Sequence, residues 1–434
     1  MNVRVRIAPS PTGFAHVGTA YMALFNWAFA KKNQGVFVLR LEDTDQKRHV
    51  PEAEEAIYSA LKWLNINPDE SPVKDGPFGP YRQSERLKRY QDSAKELVKT
   101  GSAYEKDGAV WLIMPKDITL GWEDAVRGQI DFDSNQLKDW VILKSDLNPT
   151  YNFANVIDDL DMRITHVIRG EEHISNTPLQ LSVYRTLEKE PPIFAHLPVL
   201  RAADHKKLSK RRDPVSLQWF REEGYLPEAL LNFLALQGWS HPAEKDLFPA
   251  SEFAELISLE RIKTSAPVFD FKKLDWLNGQ YIKNTSNQEL AKLISRDFAK
   301  EIPQDLIEKF IPLVKERLRK LKEFPESVSF FMTTPDVPLP LLTGQTKHTT
   351  AELKQILLQT IKAFEENKTW ATVELETTGH HLLETTGWTP RELFMTIRVA
   401  LSGKTATPPL FEMMGILGKN ETLKRLESAS KLIV

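Results

Sequence analysis

The chain has 434 residues, of which 41% are hydrophobic and 27% charged, the composition of a globular protein with about two to four domains. It has no apolar run of about 18 residues, and its first residues lack the apolar stretch of a secretory leader, so we expect no transmembrane span and a cytoplasmic location. The absence of cysteine excludes disulfides, thiolate chemistry and thiolate-bound zinc, and the net charge of −2 excludes a uniformly basic nucleic-acid coat.

The first hundred residues alternate between strand and helix patterns. We predict strands at 3–7 and 36–41, and helices at 19–32, 51–64 and 90–99. Strands that alternate with helices in this way are typical of parallel βαβ units. The sequence therefore predicts an α/β layer of the nucleotide-binding type.

The middle of the chain interrupts this pattern and then resumes it. Residues 101–150 carry short β-like pieces at 109–114 and 140–144 among Gly, Asp and Pro, and we interpret them as a small inserted subdomain. A strand predicted at 164–169 restores the α/β pattern.

A capped helix and a basic loop are predicted next. Ser175 and Asn176 are good cap residues, and Pro178 suits the first turn of the helix that would follow them. The segment HLPVLRAADHKKLSKRRDP then predicts a strand that leads into a basic loop.

The last part of the chain is predicted to be helical. Short helices and loops extend over 217–283, and from Asn287 onward apolar residues recur at helical spacing, as in QELAKLISRDFAK and AELKQILLQTIKAFEE. The Pro-rich residues 333–346 predict a break between two helical halves.

The loop APSPTGFAHVGT, residues 8–19, lies where the first strand turns into the first helix. We predict that free backbone N–H groups at the start of this helix form an anion site, since the helix dipole also favours negative charge there. His16 would donate a hydrogen bond to a phosphate, and Gly18 would allow a backbone or base to come close. The loop is not a P-loop, and a loop with an incidental His stays open as the alternative.

The loop DHKKLSKRRDP, residues 204–214, is the second candidate. Lys207 and Lys210 would neutralise the charge of a phosphate under attack and of leaving pyrophosphate, which is what phosphoryl-type transfer requires. The alternative is a solvated basic loop.

The two loops together are more specific than either alone. A strand followed by H-x-G-T and a helix, with K-x-S-K about 190 residues later, resembles the class I aminoacyl-tRNA synthetases. The segments RIAPSPTGFAHVGTAYMALFNWAFA, VLRLEDTD, GPYRQSERL, YNFANVIDD, HVIRGEEHISNTP, KKLSKRRDPVSL and ALSGKTATPPLFEMMGILGK are similar to the bacterial-type glutamyl-tRNA synthetases over nearly the whole chain.

This resemblance implies a fold and a domain order. We expect an α/β Rossmann-type class I catalytic domain with a small α+β insertion, followed by a helical stem-contact region and an all-α anticodon-binding domain. The expected parts are the catalytic halves at 1–100 and 151–210, the acceptor-binding insertion at 101–150, the stem-contact region at 211–285 and the anticodon-binding domain at 286–434, with a subdivision near 333–346.

The resemblance also implies a two-step reaction. The α-carboxylate of L-glutamate attacks the α-phosphate of ATP, bound with Mg²⁺, and expels pyrophosphate; the 2′-OH of the terminal adenosine of tRNA(Glu) then attacks the glutamyl-adenylate. His16, Lys207 and Lys210 would stabilise phosphate charge, and no side chain would be an obligate general base. We expect no structural zinc, no membrane partner and a monomer.

The resemblance assigns a role to each of several residues. A substrate γ-carboxylate favours guanidinium groups with bidentate geometry, and Glu42 would pair with the α-ammonium. The glutamate contacts implied are Arg6, Ser10, Glu42, Tyr151, Asn155 and Arg169. The ATP contacts implied are Thr12, His16, Gly18, Glu172, Leu200, Lys207, Leu208 and Lys210. The tRNA contacts implied are Arg48, Arg317, Arg398, Thr407, Pro408 and Phe411, with an Arg at position 317 associated with rejection of glutamine-type anticodons.

Simpler structural interpretations of some of these residues stay open. Glu42 could be a helix cap or one half of a salt bridge, and Tyr151 and Asn155 could serve packing and capping. Phe411 could belong to the core, and Arg317 could belong to the basic helix KERLRKLKEF. Arg48 could be an ordinary surface residue.

Other functions would leave different features in the sequence. A shortened relative that glutamylates a modified tRNA base would lack the helical C-terminal half, and a glutaminyl-tRNA synthetase would have a β-barrel anticodon domain. A catalytically silent tRNA binder would have lost His16, Lys207 or Lys210, and an unrelated adenylating enzyme would have no use for the helical half. The insertion lacks the long helical stretch of many relatives after AYEKDGAVWLIMP. Whether tRNA(Gln) is also charged, and whether activation needs bound tRNA, stay open.

Overall fold

The computed structural model describes residues 2–11, 13, 15–44, 50–206, 208 and 215–433, and it divides the chain into two compact units, Met1–Leu277 and Asn278–Val434. The elements of the first unit are β1 (Arg4–Ile7), α1 (Val17–Lys32), β2 (Val36–Leu39), α2 (Pro51–Trp63), α3 (Leu87–Lys99), β3 (Ala103–Lys106), β4 (Ala109–Leu112), β5 (Thr119–Asp124), β6 (Gly128–Asp133), β7 (Trp140–Leu143), α4 (Tyr151–Asp161), β8 (His166–Gly170), α5 (Thr177–Thr186), β9 (Ile193–Leu197), α6 (Leu217–Glu223), α7 (Pro227–Gly238), α8 (Ala250–Leu256) and α9 (Phe271–Asn284), which contains the boundary.

The first unit has a parallel sheet layer, as the sequence predicts. β1 pairs with β2 and β8 pairs with β9, both in parallel. Arg4 and Thr165 join the two pairs, because the Thr165 amide donates to the Arg4 carbonyl oxygen at 2.9 Å and the Arg4 amide donates to Thr165 Oγ1 at 2.9 Å. Ligands of open parallel sheets bind at the carboxyl ends of the strands.

Helix α1 is buried on nearly every side, because its sequence is apolar almost all round. Tyr21, Leu24 and Phe25 are each at most 1% exposed. Asn26 is the polar exception, and its side-chain amide donates to the Ile168 carbonyl oxygen at 3.0 Å. The helix is thereby held against β8, with its first turn at the carboxyl ends of the strands.

The inserted segment is built of antiparallel strands. β3, β4 and β7 form one sheet and β5 and β6 form a hairpin. The predicted strands at 109–114 and 140–144 are confirmed as β4 and β7. The hairpin lies against the parallel layer, since the Ala125 amide donates to the Phe194 carbonyl oxygen at 2.9 Å.

The second unit is helical throughout its described elements, as predicted. Apart from two short 3-10 helices, its elements are α10 (Asn287–Asp297), α11 (Gln304–Val314), α12 (Phe324–Met332), α13 (Leu339–Thr343), α14 (Thr350–Glu365), α15 (Thr372–Thr386), α16 (Pro390–Ser402) and α17 (Leu410–Leu432). A separate core includes Leu357, Phe364, Met413 and Leu426. None of the helices in the described part of the chain is both long and apolar enough to cross a membrane.

Two local predictions are wrong. Asn176 does not cap α5 through its side chain, because it ends a 3-10 helix, Glu171–Asn176, and has helical backbone angles itself. The segment KERLRKLKEF is not a continuous helix, because it folds as two short 3-10 helices, Lys315–Arg317 and Leu321–Glu323, with extended backbone at Leu318 and Lys320.

Candidate active site

A cavity of about 430 Å³ opens between the ends of the parallel strands and the first turn of α1. It is bounded by residues that follow β1, β8 and β9, and so lies at the carboxyl ends of these strands, where ligands of open α/β sheets bind. Nine residues predicted from the sequence line it: Arg6, His16, Gly18, Tyr151, Asn155, Arg169, Glu172, Leu200 and Leu208.

The other residues predicted for this site do not line the cavity or lie outside the described residues. Ser10 is exposed on the loop after β1 and is not among the residues that line the cavity. Thr12, Lys207 and Lys210 lie outside the described residues, as does Arg48, predicted near the tRNA end. Of the three residues predicted to stabilise phosphate charge, only His16 is therefore described.

The predicted set of free N–H groups at the start of α1 is wrong. The helix begins at Val17, and the Val17 amide donates to the Val215 carbonyl oxygen at 2.7 Å. The Gly18 amide donates to His16 Nδ1 at 3.0 Å, and the Thr19 and Ala20 amides donate to the His16 carbonyl oxygen. The four amides of the first turn are therefore hydrogen-bonded within the chain, so the helix dipole, and not these N–H groups, is what the start of α1 offers an anion.

The cap bond fixes the tautomer of His16. Because Nδ1 accepts from the Gly18 amide, the neutral ring carries its proton on Nε2, which is a donor. A Cβ at Gly18 would lie 2.8 Å from His16 Cε1 and 2.9 Å from Nδ1. The His16 ring is therefore one reason for Gly18 in this structure, and the close approach of a base stays a prediction.

Arg6 is committed to another side chain. Its Nε and Nη2 donate to the two carboxylate oxygens of Asp159, each at 3.1 Å, and Nη2 also donates to Asn155 Oδ1 at 3.2 Å. Asp159 accepts a further bond from Arg40 Nη1 at 2.6 Å. Asp159 therefore occupies the Nε/Nη2 edge of Arg6, and the contact between Arg6 and a substrate carboxylate stays a prediction.

Arg169 presents its charge differently. Its Nε donates to His196 Nε2 at 3.0 Å and its Nη2 donates to Thr177 Oγ1 at 2.8 Å, so both acceptors are uncharged. Nη1 is buried and has no hydrogen-bond partner within the described part of the chain. Burial lowers the pKa of Arg169 to about 10, so the group is still cationic at neutral pH. An anionic ligand group is the partner that this geometry lacks.

Glu42 supplies the opposite charge. Its amide donates to the Pro9 carbonyl oxygen at 3.1 Å, next to the cavity wall. Its Oε1 accepts from Asn155 Nδ2 at 2.6 Å and from Arg40 Nη2 at 3.4 Å. Burial raises the pKa of Glu42 to about 7, although the guanidinium groups of Arg40 and Arg6 oppose that shift.

Sequence reasoning missed two histidines. His173 lines the cavity, where its Nδ1 lies 3.3 Å from the Tyr151 hydroxyl and 3.1 Å from Asn176 Nδ2. Burial, with the charge of Arg169, lowers its pKa to about 4, so it is neutral. His196 lies behind Arg169 on β9 and is fully buried. A histidine inside the apolar strand IFAHL was the available signal, since a buried imidazole needs partners.

These groups together suit a small zwitterion with an extra negative charge. Arg6 and Arg169 supply two cations, and Glu42 supplies a carboxylate beside Asn155. His16 and the positive end of α1 line the same cavity, so the site can hold phosphate next to the zwitterion. Within the described residues, no group of three or more His, Asp or Glu side chains is placed to hold a metal ion.

The residues predicted to contact tRNA in the second unit differ in their exposure and in their partners. Arg398 Nη1 donates to the carbonyl oxygens of Thr407 and Pro408, at 3.1 and 2.6 Å, and to Thr407 Oγ1. Arg317 is exposed, and its charge adds to burial in lowering the pKa of Arg398. Phe411 is 9% exposed and packs edge-on against Phe394 at 5.3 Å, so its ring belongs to the core.

The chain matches two protein families. Residues 2–110 and 106–276 match the family described as tRNA synthetases class I (E and Q), catalytic domain, and residues 283–430 match the family described as Anticodon binding domain. The two pieces of the first match overlap at 106–110, from the end of β3 to the start of β4.

Individual relatives resemble the chain over its full length. It is 39% identical to the Glutamate–tRNA ligase of a Thermus thermophilus strain, with 98% of this chain and 99% of the relative covered. It is also 39% identical to the Glutamate–tRNA ligase of Acidothermus cellulolyticus, with 100% and 96% covered. A crystal structure of a glutamate tRNA ligase from Elizabethkingia meningosepticum in complex with its amino acid is 31% identical, covers 100% of both chains and gives a TM-score of 0.92.

Proposed function

This chain belongs to the family of class I tRNA synthetases for glutamate and glutamine, and on that premise we propose that it is a glutamate–tRNA ligase. The enzyme uses ATP to activate L-glutamate and then transfers the glutamyl group to tRNA(Glu). Arg169 is the observation on which the choice of amino acid rests. Arg169 and Asn155 line the cavity, Arg169 has no carboxylate partner among the described residues, and Asn155 donates to Glu42. This charge pattern fits glutamate better than glutamine.

Each residue has a proposed role in this reaction. Arg169 binds the γ-carboxylate through the charge of its guanidinium group, and Arg6, held by Asp159, adds positive potential. Glu42 and Asn155 receive the α-ammonium. In this arrangement the α-carboxylate faces the ATP side of the cavity, where His16 Nε2–H and the N-terminus of α1 stabilise charge on the α-phosphate.

The ATP substrate enters as its magnesium complex in this proposal, with Glu172, Leu200 and Leu208 at the nucleotide. Lys207 and Lys210, outside the described residues, neutralise the leaving pyrophosphate. The attack by the α-carboxylate forms a C–O–P bond while the bond to pyrophosphate breaks. The 2′-OH of the terminal adenosine then displaces AMP from the adenylate.

The tRNA would be bound by other parts of the chain. We propose that residues 101–150 contact the acceptor end and that 211–285 contact the stem. In 286–434, Arg317 and Arg398 read the anticodon, and the buried Thr407 and Pro408 hold Arg398 in place. The buried ring of Phe411 holds the helices behind that surface. A monomer in the cytoplasm, where charged tRNA is consumed, is the state that this function favours.

The test is tRNA charging with ATP and radiolabelled glutamate or glutamine, on tRNA(Glu) and tRNA(Gln) separately. We expect glutamate on tRNA(Glu) and its loss in Lys207→Ala. Lys206→Ala is the matched control, because Lys206 is an exposed neighbour that pairs only loosely with Asp204, at 4.0 Å, and its loss should change little. No charging of either tRNA despite tight tRNA binding would refute the proposal and favour a silent binding protein.

A further inference from the structure

Arg169 is held by an unusual set of partners. Arg4, Arg6, Arg40, Arg86 and Arg425, the other buried arginines in the described residues, each pair with a carboxylate. Arg169 has no carboxylate within ion-pair distance there, and its Nε donates to a histidine nitrogen instead. Its full charge is therefore available to a ligand, which a salt bridge would have prevented.

His196 can hold Arg169 only in one tautomer. Its Nε2 accepts from Arg169 Nε at 3.0 Å and must carry no proton. Its Nδ1 must then carry the proton, and this nitrogen contacts Asp124 Oδ2. Both sides of the ring are thus specified by their neighbours, and an imidazolium would be both cationic and unable to accept from Arg169.

Asp124 is built to keep that tautomer. Its Oδ1 accepts from the amides of Val126, Arg127 and His196, each at 3.1 Å, and its Oδ2 accepts from Trp122 Nε1 at 3.2 Å as well as from the imidazole. A carboxylate with five donors stays ionised although its side chain is fully buried. Asp124 ends β5, so the inserted hairpin reaches Arg169 through the histidine.

We propose that Asp124 and His196 are positioning residues for amino-acid recognition: they orient Arg169 and leave its charge unneutralised, so that the site selects a substrate carboxylate. This inference rests on the proposed function, and it deepens it by naming what makes the arginine specific. Neither residue touches the substrate. Their effect therefore belongs to the affinity for glutamate and not to the chemical step.

Three variants separate positioning from general stability. His196→Leu removes the acceptor, and His196→Gln keeps an amide oxygen near the place of Nε2. Asp124→Asn is isosteric, but whichever way its amide turns, an NH2 group faces either the imidazole or the three backbone amides. His166→Gln is the matched control, because His166 begins β8 on the same layer and contacts Thr165 and Phe29 but not Arg169.

The experiment measures kcat and the KM values for glutamate and ATP in tRNA charging by the full-length chain. We expect the KM for glutamate to rise about tenfold or more in His196→Leu and Asp124→Asn, with His196→Gln partly restored and His166→Gln close to the wild type. The kcat and the KM for ATP should stay within about twofold of the wild type, since positioning by these residues acts on the ground-state complex.

Three results would overturn the inference. They are an unchanged KM for glutamate, an equal loss in His196→Gln and His196→Leu, and a parallel rise in the KM for ATP. If His196→Leu does not melt cooperatively, its kinetics are not informative because it does not fold as the wild type does. The KM for glutamate of the isosteric Asp124→Asn then tests the inference. If the wild type itself charges no tRNA, the proposed function has failed separately, and calorimetric titration of glutamate into the wild type and the variants still tests the positioning.

Discussion

At the scale of single residues, Glu42 has a property that a pH profile can test. Burial raises its pKa to about 7, so the carboxylate is half protonated near neutral pH. The neutral form cannot pair with an α-ammonium. We therefore expect the KM for glutamate to rise as the pH falls through about 7, and to level off above it. Glu42→Gln should bind glutamate weakly and lose this pH dependence, and a variant that kept the same profile would assign the titration to another group.

Gly18 offers a second test at this scale. A Cβ there would come within 2.8 Å of the His16 ring, so Gly18→Ala must turn the ring or move the helix start. We expect kcat to fall about tenfold or more, as when a donor to transition-state charge is displaced, with less change in the KM for glutamate. Gly415→Ala is the matched control, because its Cβ would meet Thr372 Oγ1 at an ordinary 3.6 Å. Equal effects of the two changes would contradict the argument.

The sequence predicts residue types at the site better than their partners. Arg6 and Arg169 both line the cavity, but Arg6 is paired with Asp159, whereas Arg169 has no carboxylate partner among the described residues. Asp159 comes from α4 and His196 from β9, and no local pattern near Arg6 or Arg169 encodes these long-range contacts. The hydrogen bond of the Val17 amide has the same cause, because its acceptor is Val215, far along the chain, whereas the Gly18, Thr19 and Ala20 amides donate to His16.

At the scale of elements, buried charge connects α4 to the sheet. Arg40, directly after β2, is fully buried and lies 2.6 Å from Asp159 and 3.6 Å from Asp158. Asp158 also accepts from Arg86 Nε at 2.7 Å and Gln83 Nε2 at 2.8 Å. The network that orients Arg6 is therefore also the contact between two secondary-structure elements.

Removal of Arg40 should be costly for this reason. Arg40→Met leaves two buried carboxylates short of a partner, and we expect it to lower the free energy of unfolding by about 3–5 kcal/mol. Urea denaturation followed by circular dichroism measures this. Lys88→Met breaks the exposed pair with Asp92 and should have little effect by comparison. A loss in Arg40→Met no larger than that in Lys88→Met would show that the network contributes little to stability.

Elements with strong periodicity are the ones that the sequence predicts. The predicted helix at 51–64 becomes Pro51–Trp63, and the predicted strand at 3–7 becomes Arg4–Ile7. The sequence does not predict β5 and β6, because their outward-facing residues include Gly121, Gln129 and Asp131, which are typical of a loop. Their pairing, which tertiary contact with β9 supports, outweighs local propensity.

At the scale of the whole molecule, the two units have separate cores. Those of the first unit gather around α1 and around α4, and that of the second gathers around α14 and α17. In the proposed function, the first unit carries the amino-acid site and the second reads the anticodon. Composition could not reveal this division, because both units are ordinary in charge and hydrophobicity.

Because the two units have separate cores, we expect a substitution in one unit and a substitution in the other to act independently on the charging kinetics. Arg169→Lys should raise the KM for glutamate, since a lysine cannot donate to His196, Thr177 and a ligand together in this geometry. Arg398→Lys should raise the KM for tRNA, because it loosens the bonds to Thr407 and Pro408. In the double variant we expect the two effects on kcat/KM to be additive, with a coupling free energy below about 0.5 kcal/mol.

A pair within one site is the control for this additivity. Arg169→Lys and His196→Leu remove opposite ends of one hydrogen bond, so their combined effect should be smaller than the sum of the separate effects. Charging kinetics of the single and double variants measure both couplings in the same assay. A coupling above about 1 kcal/mol between Arg169 and Arg398 would contradict independence, and it would mean that tRNA bound at the second unit changes the state of the glutamate site in the first.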